Sequence, residues 1–134
     1  MCKYGEFPIG HPTIITENFE PISATRRPYK GMIRCRILPP RGLFHPVLPY
    51  RTDKLMFPLC ATCADTRNND RCTHTDEERQ LCGTWPSCEI YKALELGYTI
   101  TEMIEVSWRV LDSVTLNFAG LPLRSVGAVQ RHRR

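Results

Sequence analysis

The sequence predicts an α+β fold, and three observations carry that expectation. Residues 30–38 alternate like a half-buried strand. Residues 85–96 have helical spacing between a Pro-bearing first turn and Gly97, and residues 98–110 alternate again directly afterwards. A helix, a glycine and a strand joined this closely form a compact α+β unit. The 134 residues, 42% of them apolar, suffice for one core, while 11 Pro and 8 Gly are too much punctuation for a simple helical bundle.

The elements follow in chain order. Residues 1–29 are rich in turn signals, among them Phe7-Pro8, His11-Pro12, Glu20-Pro21 and Arg27-Pro28. Proline forces extended or turn geometry on the residue before it, which leaves 13–16 (Thr-Ile-Ile-Thr) as a short strand. In the strand 30–38, Ile33, Cys35 and Ile37 share one face, and Arg34 and Arg36 share the other, flanked by Met32 and Leu38. Residues 39–59 hold five prolines, more missing N–H donors than a central strand or helix interior absorbs. They read as an ordered, extended loop with short edge strands at 47–48 and 54–57.

Residues 76–82 are polar enough for one or two helical turns that Gly83 would break. In the helix 85–96, Thr84 is placed to cap, Pro86 lies in the first turn and Gly97 at C′. Cys88, Tyr91, Leu94 and Glu95 share its spacing, with Trp85 packing at the start. In the strand 98–110, Tyr98, Ile100, Ile104, Val106, Trp108 and Val110 alternate, with Glu102 as the exception. No acidic residue follows Asp112, and the chain closes on Arg131-His132-Arg133-Arg134, which reads as a frayed basic tail.

Several classes are disfavoured. No stretch approaches the roughly 18 to 20 apolar residues of a membrane helix. The first residues contain no apolar signal-peptide core, so an intracellular setting is expected and a secreted disulfide scaffold is not. The seven cysteines are also an odd number. A balance of 18 Lys+Arg against 14 Asp+Glu, or +4, is too mild to demand nucleic acid. No phosphate-binding glycine loop, hydrolase triad or HExxH motif is present.

The most specific chemical signal is Cys60-x2-Cys63-x8-Cys72-x-His74. Zinc takes four N or S ligands in a tetrahedron, and a Cys-x2-Cys turn sets two thiolates on one side of it. Cys72 and His74 can supply the other pair, with the polar residues 65–71 crossing the ion. Cys82 and Cys88 are spare candidates. Unligated thiols, disulfides and a redox Cys-x2-Cys pair are the competing readings, the last without the surrounding βαβ pattern. A four-ligand site leaves no position for a reacting water, so the expected role is structural. His11, His45 and His132 are isolated surface or turn residues, and Glu102 and Glu105, near Asp112, read as surface charge.

Basic residues crowd between Arg26 and Arg51, interleaved with Tyr29, Phe44 and Tyr50. Alternation places Lys30, Arg34 and Arg36 on one side of the strand, and Arg41 lies just beyond it. These four are the candidate nucleic-acid contacts; a solvated sheet face is the competing reading.

Several runs carry a family resemblance. Residues 3–12 (Lys-Tyr-Gly-Glu-Phe-Pro-Ile-Gly-His-Pro) resemble the segment after the first catalytic motif of protein-primed family B DNA polymerases. Residues 29–38 are similar to the palm strand that follows. Leu43-Phe44-His45-Pro46-Val47-Leu48-Pro49-Tyr50-Arg51 and residues 54–60 resemble the transposon-borne branch, the Maverick or Polinton elements, with related viral and organellar enzymes. So do Cys72-Thr73-His74 with Glu78-Arg79, Gly83-Thr84-Trp85, residues 89–93, Gly97-Tyr98 and Glu105-Val106.

The resemblance spans about residues 3–106. It implies a partial polymerase palm (1–106) with an inserted Pro-rich, zinc-stabilised region between the first and second polymerase motifs, followed by a divergent basic tail (107–134). The Cys60, Cys63, Cys72 and His74 quartet matches the pattern of this branch. In phage relatives the same interval helps hold the priming protein and the template duplex. The implied partners are therefore DNA, a terminal priming protein and the rest of the polymerase, and the expected setting is intracellular, with the nucleus as one compartment that suits it. The two metal-binding aspartates that clamp Mg²⁺ in the complete enzyme, the lysine-bearing second motif and the exonuclease carboxylates do not occur in these residues. The chain is thus expected to be a polymerase fragment with no nucleotidyl transfer of its own. The alternative is a small zinc-stabilised module that binds DNA or protein without chemistry.

Overall fold

The computed structural model describes residues 6–8, 11–108 and 111–113. Along the chain run β1 (Glu6–Pro8), β2 (Thr13–Ile15), β3 (Gly31–Leu38), β4 (Tyr50–Arg51), β5 (Leu55–Met56), α1 (Ala61–Thr66) and α2 (Asp76–Arg79). Then come β6 (Leu81–Pro86), α3 (Ser87–Glu95), β7 (Thr99–Trp108) and β8 (Leu111–Ser113). The architecture is mixed α and β, as expected. Residues 12–108 form one compact unit; β1 and β8, which pair antiparallel with each other, belong to another. Beyond residues 107, 108 and 111–113, the expected basic tail lies outside the described residues. Among the described residues no helix is long and apolar enough to cross a membrane.

The main unit is a four-stranded antiparallel sheet in the order β2-β7-β3-β6. In β3 the alternation read from the sequence is realised: Ile33, Cys35 and Ile37 are fully buried while Arg34 and Arg36 are exposed. Burying an aliphatic side chain of that size contributes about 1.5 to 3 kcal/mol, so this face fixes which side of the sheet is covered. Burial pushes the Cys35 thiol up to about 12, which keeps it a neutral, inert part of the core.

The sequence reading of 81–86 is corrected. These residues are not the run-in to a helix but the edge strand β6, paired with β3 from Leu81↔Ile37 to Pro86↔Met32. Leu81 and Trp85 are buried on the inner face. Gly83, between them, gives room to the indole: a Cβ there would lie 2.8 Å from the Trp85 ring. Gly83 is therefore a packing residue of a strand, not a helix breaker. Thr84 is accordingly no cap, and α3 begins only at Ser87, after Pro86, without a side-chain cap.

The buried residues of α3 are Ser87, Ile90, Tyr91 and Ala93, whereas Cys88 is exposed. Ser87 Oγ accepts from Gly31 N at 3.2 Å. Tyr91 OH donates to Tyr29 O at 2.7 Å and accepts from Tyr29 N at 2.9 Å, satisfying both backbone groups just before β3. The C-terminal glycine is used as expected. Gly97 has φ +91°, Tyr98 N donates to Ala93 O at 3.1 Å and Gly97 N to Leu94 O at 3.2 Å, a Schellman closure.

β7 departs from simple alternation. Its register against β3 slips twice: Arg34 opposes Glu105 but Cys35 opposes Met103, and Arg36 opposes Glu102 but Ile37 opposes Ile100. Ile104 and Thr101 are the extra residues of two bulges. The residues opposite the buried face of β3 are thus Ile100, Met103 and Val106, three apart, so Glu102 is no exception but belongs to the outer face. Thr101 Oγ1 donates to Arg36 O at 3.2 Å.

The Pro-rich segment forms a strap held by side-chain partners from other elements, because its prolines supply no N–H. Trp85 Nε1 donates to Pro49 O at 2.7 Å, and Val47 N donates to Tyr98 OH at 3.4 Å. Leu48 is fully buried rather than part of a strand. The predicted second edge strand is narrower than 54–57, and β5 pairs with β4, two residues each.

Candidate metal centre

Local backbone chemistry brings the four predicted ligands together. Cys60 is the N-cap of α1, and its Sγ accepts from Cys63 N at 3.4 Å, so both thiols sit at the helix start. Arg67 then adopts the left-handed conformation at φ +54° and reverses the chain, with Asn68 N donating to Cys63 O at 3.0 Å. Asn68 Oδ1 accepts from Asp70 N at 2.8 Å, an Asx turn that returns the loop toward Cys72. His74 directly precedes a capping box: Thr75 N donates to Glu78 Oε2 at 2.9 Å and Glu78 N to Thr75 Oγ1 at 3.4 Å. Thr62 Oγ1 donates to Glu78 O at 2.7 Å and joins α1 to α2.

The ligand atoms of Cys60, Cys63, Cys72 and His74 all lie within 4.8 Å of one another. His74 Nδ1 is 3.5 Å from Cys60 Sγ, 3.3 Å from Cys63 Sγ and 3.5 Å from Cys72 Sγ. Zinc bond lengths in a regular tetrahedron give an S···N edge of about 3.6 Å. The imidazole nitrogen therefore stands at one apex over three sulfurs, and the donor set fits zinc. Cys82 and Cys88 are exposed and lie outside the cluster. Desolvation and the neighbouring thiols push Cys63 up to about 12, while hydrogen bonds from the His74 backbone and side chain bring Cys72 down to about 6. One sulfur is thus predisposed to the thiolate, and a metal must drive deprotonation of another.

Two arginines hold the surroundings. Arg79 is buried, its side chain 4% exposed; Nη2 donates to Pro39 O at 2.9 Å and Leu59 O at 3.2 Å, and Nη1 lies 3.0 Å from Asp76 Oδ1. It ties both ends of the strap to α2. Arg41 Nη2 donates to His74 O at 2.9 Å and to Asp76 Oδ1 at 3.1 Å. An open cleft of about 550 Å³ adjoins the cluster, with Phe57, Lys54, Asn69 and the three ligand cysteines among its lining.

The candidate nucleic-acid residues Lys30, Arg34, Arg36 and Arg41 have different surroundings. Arg34 and Arg36 share the outer sheet face, and Lys30 is exposed just before the strand in the same alternation. Arg36 pairs with Glu102 at 3.2 Å, and Arg34 opposes Glu105 in the ladder. Arg41 belongs to the surroundings of the metal cluster. Sequence reasoning missed the role of Arg79; the Thr75-x-x-Glu78 capping signature was the visible clue that a helix turn starts there.

No protein-family model matches the chain, and comparison with curated proteins and with solved structures returns no significant match.

Proposed function

We propose that the chain is a zinc-stapled segment of a protein-primed family B DNA polymerase, contributing contacts to DNA and no step of nucleotidyl transfer. Two things support the reading: the ordered run of motifs along residues 3–106 and, above all, the convergence of Cys60, Cys63, Cys72 and His74. Bound zinc supplies a cross-link and no reactive water. Cys60 and Cys63 hold it from α1, and Cys72 and His74 from the returning loop. The polymerase's Mg²⁺ belongs to the complete enzyme, as do the priming protein and the remaining chain as partners.

Native mass spectrometry, free-thiol counting and a primed-template assay test this together. The expected result is one zinc per chain, no disulfide, salt-dependent DNA binding and no incorporation of nucleotides. A zinc-free folded chain, or turnover by this chain, would overturn it.

One observation favours the alternative reading. Residues 12–108 form a compact unit with their own buried core, which suits a small zinc-stabilised binding module without polymerase kinship. The neighbouring coding sequence separates the two: an in-frame Asp-x-x-Ser-Leu-Tyr-Pro motif upstream belongs only to the polymerase reading.

A further inference from the structure

The side of the main sheet that holds Ile33, Cys35 and Ile37 is covered by Ile90 and Ala93 of α3 and by Leu48 of the strap. On the other side, Ile14 is 59% exposed and Met32 42%. Register maps that outer side, because directly opposed residues point the same way from a sheet. One row crosses all four strands: Ile14, Ser107, Met32 and Pro86. It brings two exposed apolar side chains into line. The next rows are charged. Arg34 opposes Glu105 and Arg36 opposes Glu102, so the charges of β3 are all positive and those of β7 all negative. Arg36 and Glu102 pair at 3.2 Å, whereas Arg34 and Glu105 form no ion pair among the described residues.

The order β2-β7-β3-β6 puts the boundary between the two signs on the midline of the sheet. That placement selects the partner. A two-fold axis along the midline, parallel to the strands, turns a second copy over onto the first. Each row then meets itself with its strand order reversed. Met32 of one copy covers Ser107 of the other, Ile14 covers Pro86, and Arg34 meets Glu105 twice. Packed sheets lie about 10 Å apart, a gap that an arginine and a glutamate together can span. A face of one sign would repel its own copy, but a face divided in sign about its centre is self-complementary. A polyanion would meet as many carboxylates here as cations.

We propose that this outer face is a homodimer interface, closed by reciprocal Arg34–Glu105 contacts beside the row from Ile14 to Pro86. The inference goes beyond the DNA-contact reading and does not depend on it. With strands about 4.8 Å apart and about 3.3 Å per residue, four strands along the length of β3 present roughly 500 Å². Two such faces reach about 1,000 Å², the lower bound of specific interfaces, so a weak and reversible dimer is expected.

The test is sedimentation equilibrium of the zinc-loaded full chain over the micromolar range. The parent should show a monomer–dimer equilibrium. Arg34→Glu and Glu105→Arg should each raise its dissociation constant at least about tenfold, because like charges then meet across the axis. Mixing the two variants should restore dimers, since each supplies the sign that the other lacks. Circular dichroism confirms that both variants are folded. A parent that stays monomeric overturns the proposal, as does a dimer that neither variant weakens. Failure of the mixture to restore dimers also overturns it, because the charges would then act only within one chain. If Arg34→Glu weakens DNA binding while the parent stays monomeric, the face belongs to DNA and the proposal falls.

Discussion

The guanidinium of Arg79 donates to the carbonyl of Leu59, the residue immediately before the first candidate ligand, at 3.2 Å. The same nitrogen reaches Pro39 O, so one buried side chain clasps both ends of the Pro-rich strap and delivers Cys60 to α1.

Replacing Arg79 with Met keeps volume and removes those donors. Two backbone carbonyls then lose their partners, at a combined cost of about 3 kcal/mol. Zinc affinity should fall with stability, because the Cys60 backbone loses its register. Chemical denaturation of the zinc-loaded and zinc-free forms checks this; equal stability of parent and variant would show that the clasp carries no energy.

Thiol labelling separates the cysteines. In the zinc-loaded chain, Cys82 and Cys88 should react quickly with an alkylating reagent, because both are exposed. Cys35, fully buried and with its pKa raised to about 12, should stay unmodified until unfolding. Cys60, Cys63 and Cys72 should become reactive together only after chelation. Peptide mapping that finds the three labelled at unrelated rates in the presence of zinc would contradict a shared metal.

Asp76 makes stability pH-dependent in a defined direction. Hydrogen bonds from Arg79 and Arg41 hold its carboxyl below the ordinary 3.8. A folded-state pKa below the unfolded one contributes stability that is present above the unfolded value and lost as pH falls through the folded one. The gap between the parent chain and Asp76→Asn should therefore be full near neutral pH and close as pH drops below about 4. Thermal midpoints of the pair across that range measure it. A gap that widens toward acid would reverse the assignment.

Gly83→Ala tests the packing of β6. The added methyl would meet the Trp85 ring at 2.8 and 2.9 Å, and the indole is buried and bonded to Pro49 O. Overpacking of this kind costs about 1 to 3 kcal/mol. A drop in thermal midpoint with altered Trp fluorescence is expected, and an unchanged midpoint would mean that the ring moves freely.

How much was legible follows from how local each signal is. The four candidate ligands span 15 residues of chain and are brought together by turns and caps within that span, so their spacing singled them out while leaving Cys82 and Cys88 as spares. The strand β3 was legible because only one of its faces packs on the core, so every second residue is buried. β6 was not, because its polar outer positions and Gly83 resemble a broken helix until β3 lies beside it. β7 was half legible: a strand was evident, but the inner positions Ile100, Met103 and Val106 obey the bulges rather than a period of two. The alternation of Lys30, Arg34 and Arg36 was legible, but not the cross-strand register that sets Glu102 and Glu105 opposite Arg36 and Arg34, a relation between segments some 70 residues apart.

The two bulges in β7 act together like the marks of a vernier scale. Sliding β7 by two residues along β3 keeps alternate side chains on their usual sides in a regular ladder. With extra residues at both Thr101 and Ile104, such a slide misplaces both bulges, removes the Thr101 hydroxyl from the Arg36 carbonyl and drives Glu102 or Glu105 off its arginine. Only one alignment satisfies both irregularities at once. The imperfections of this strand therefore serve as its address, directing the last long segment of the sheet to a single berth during folding.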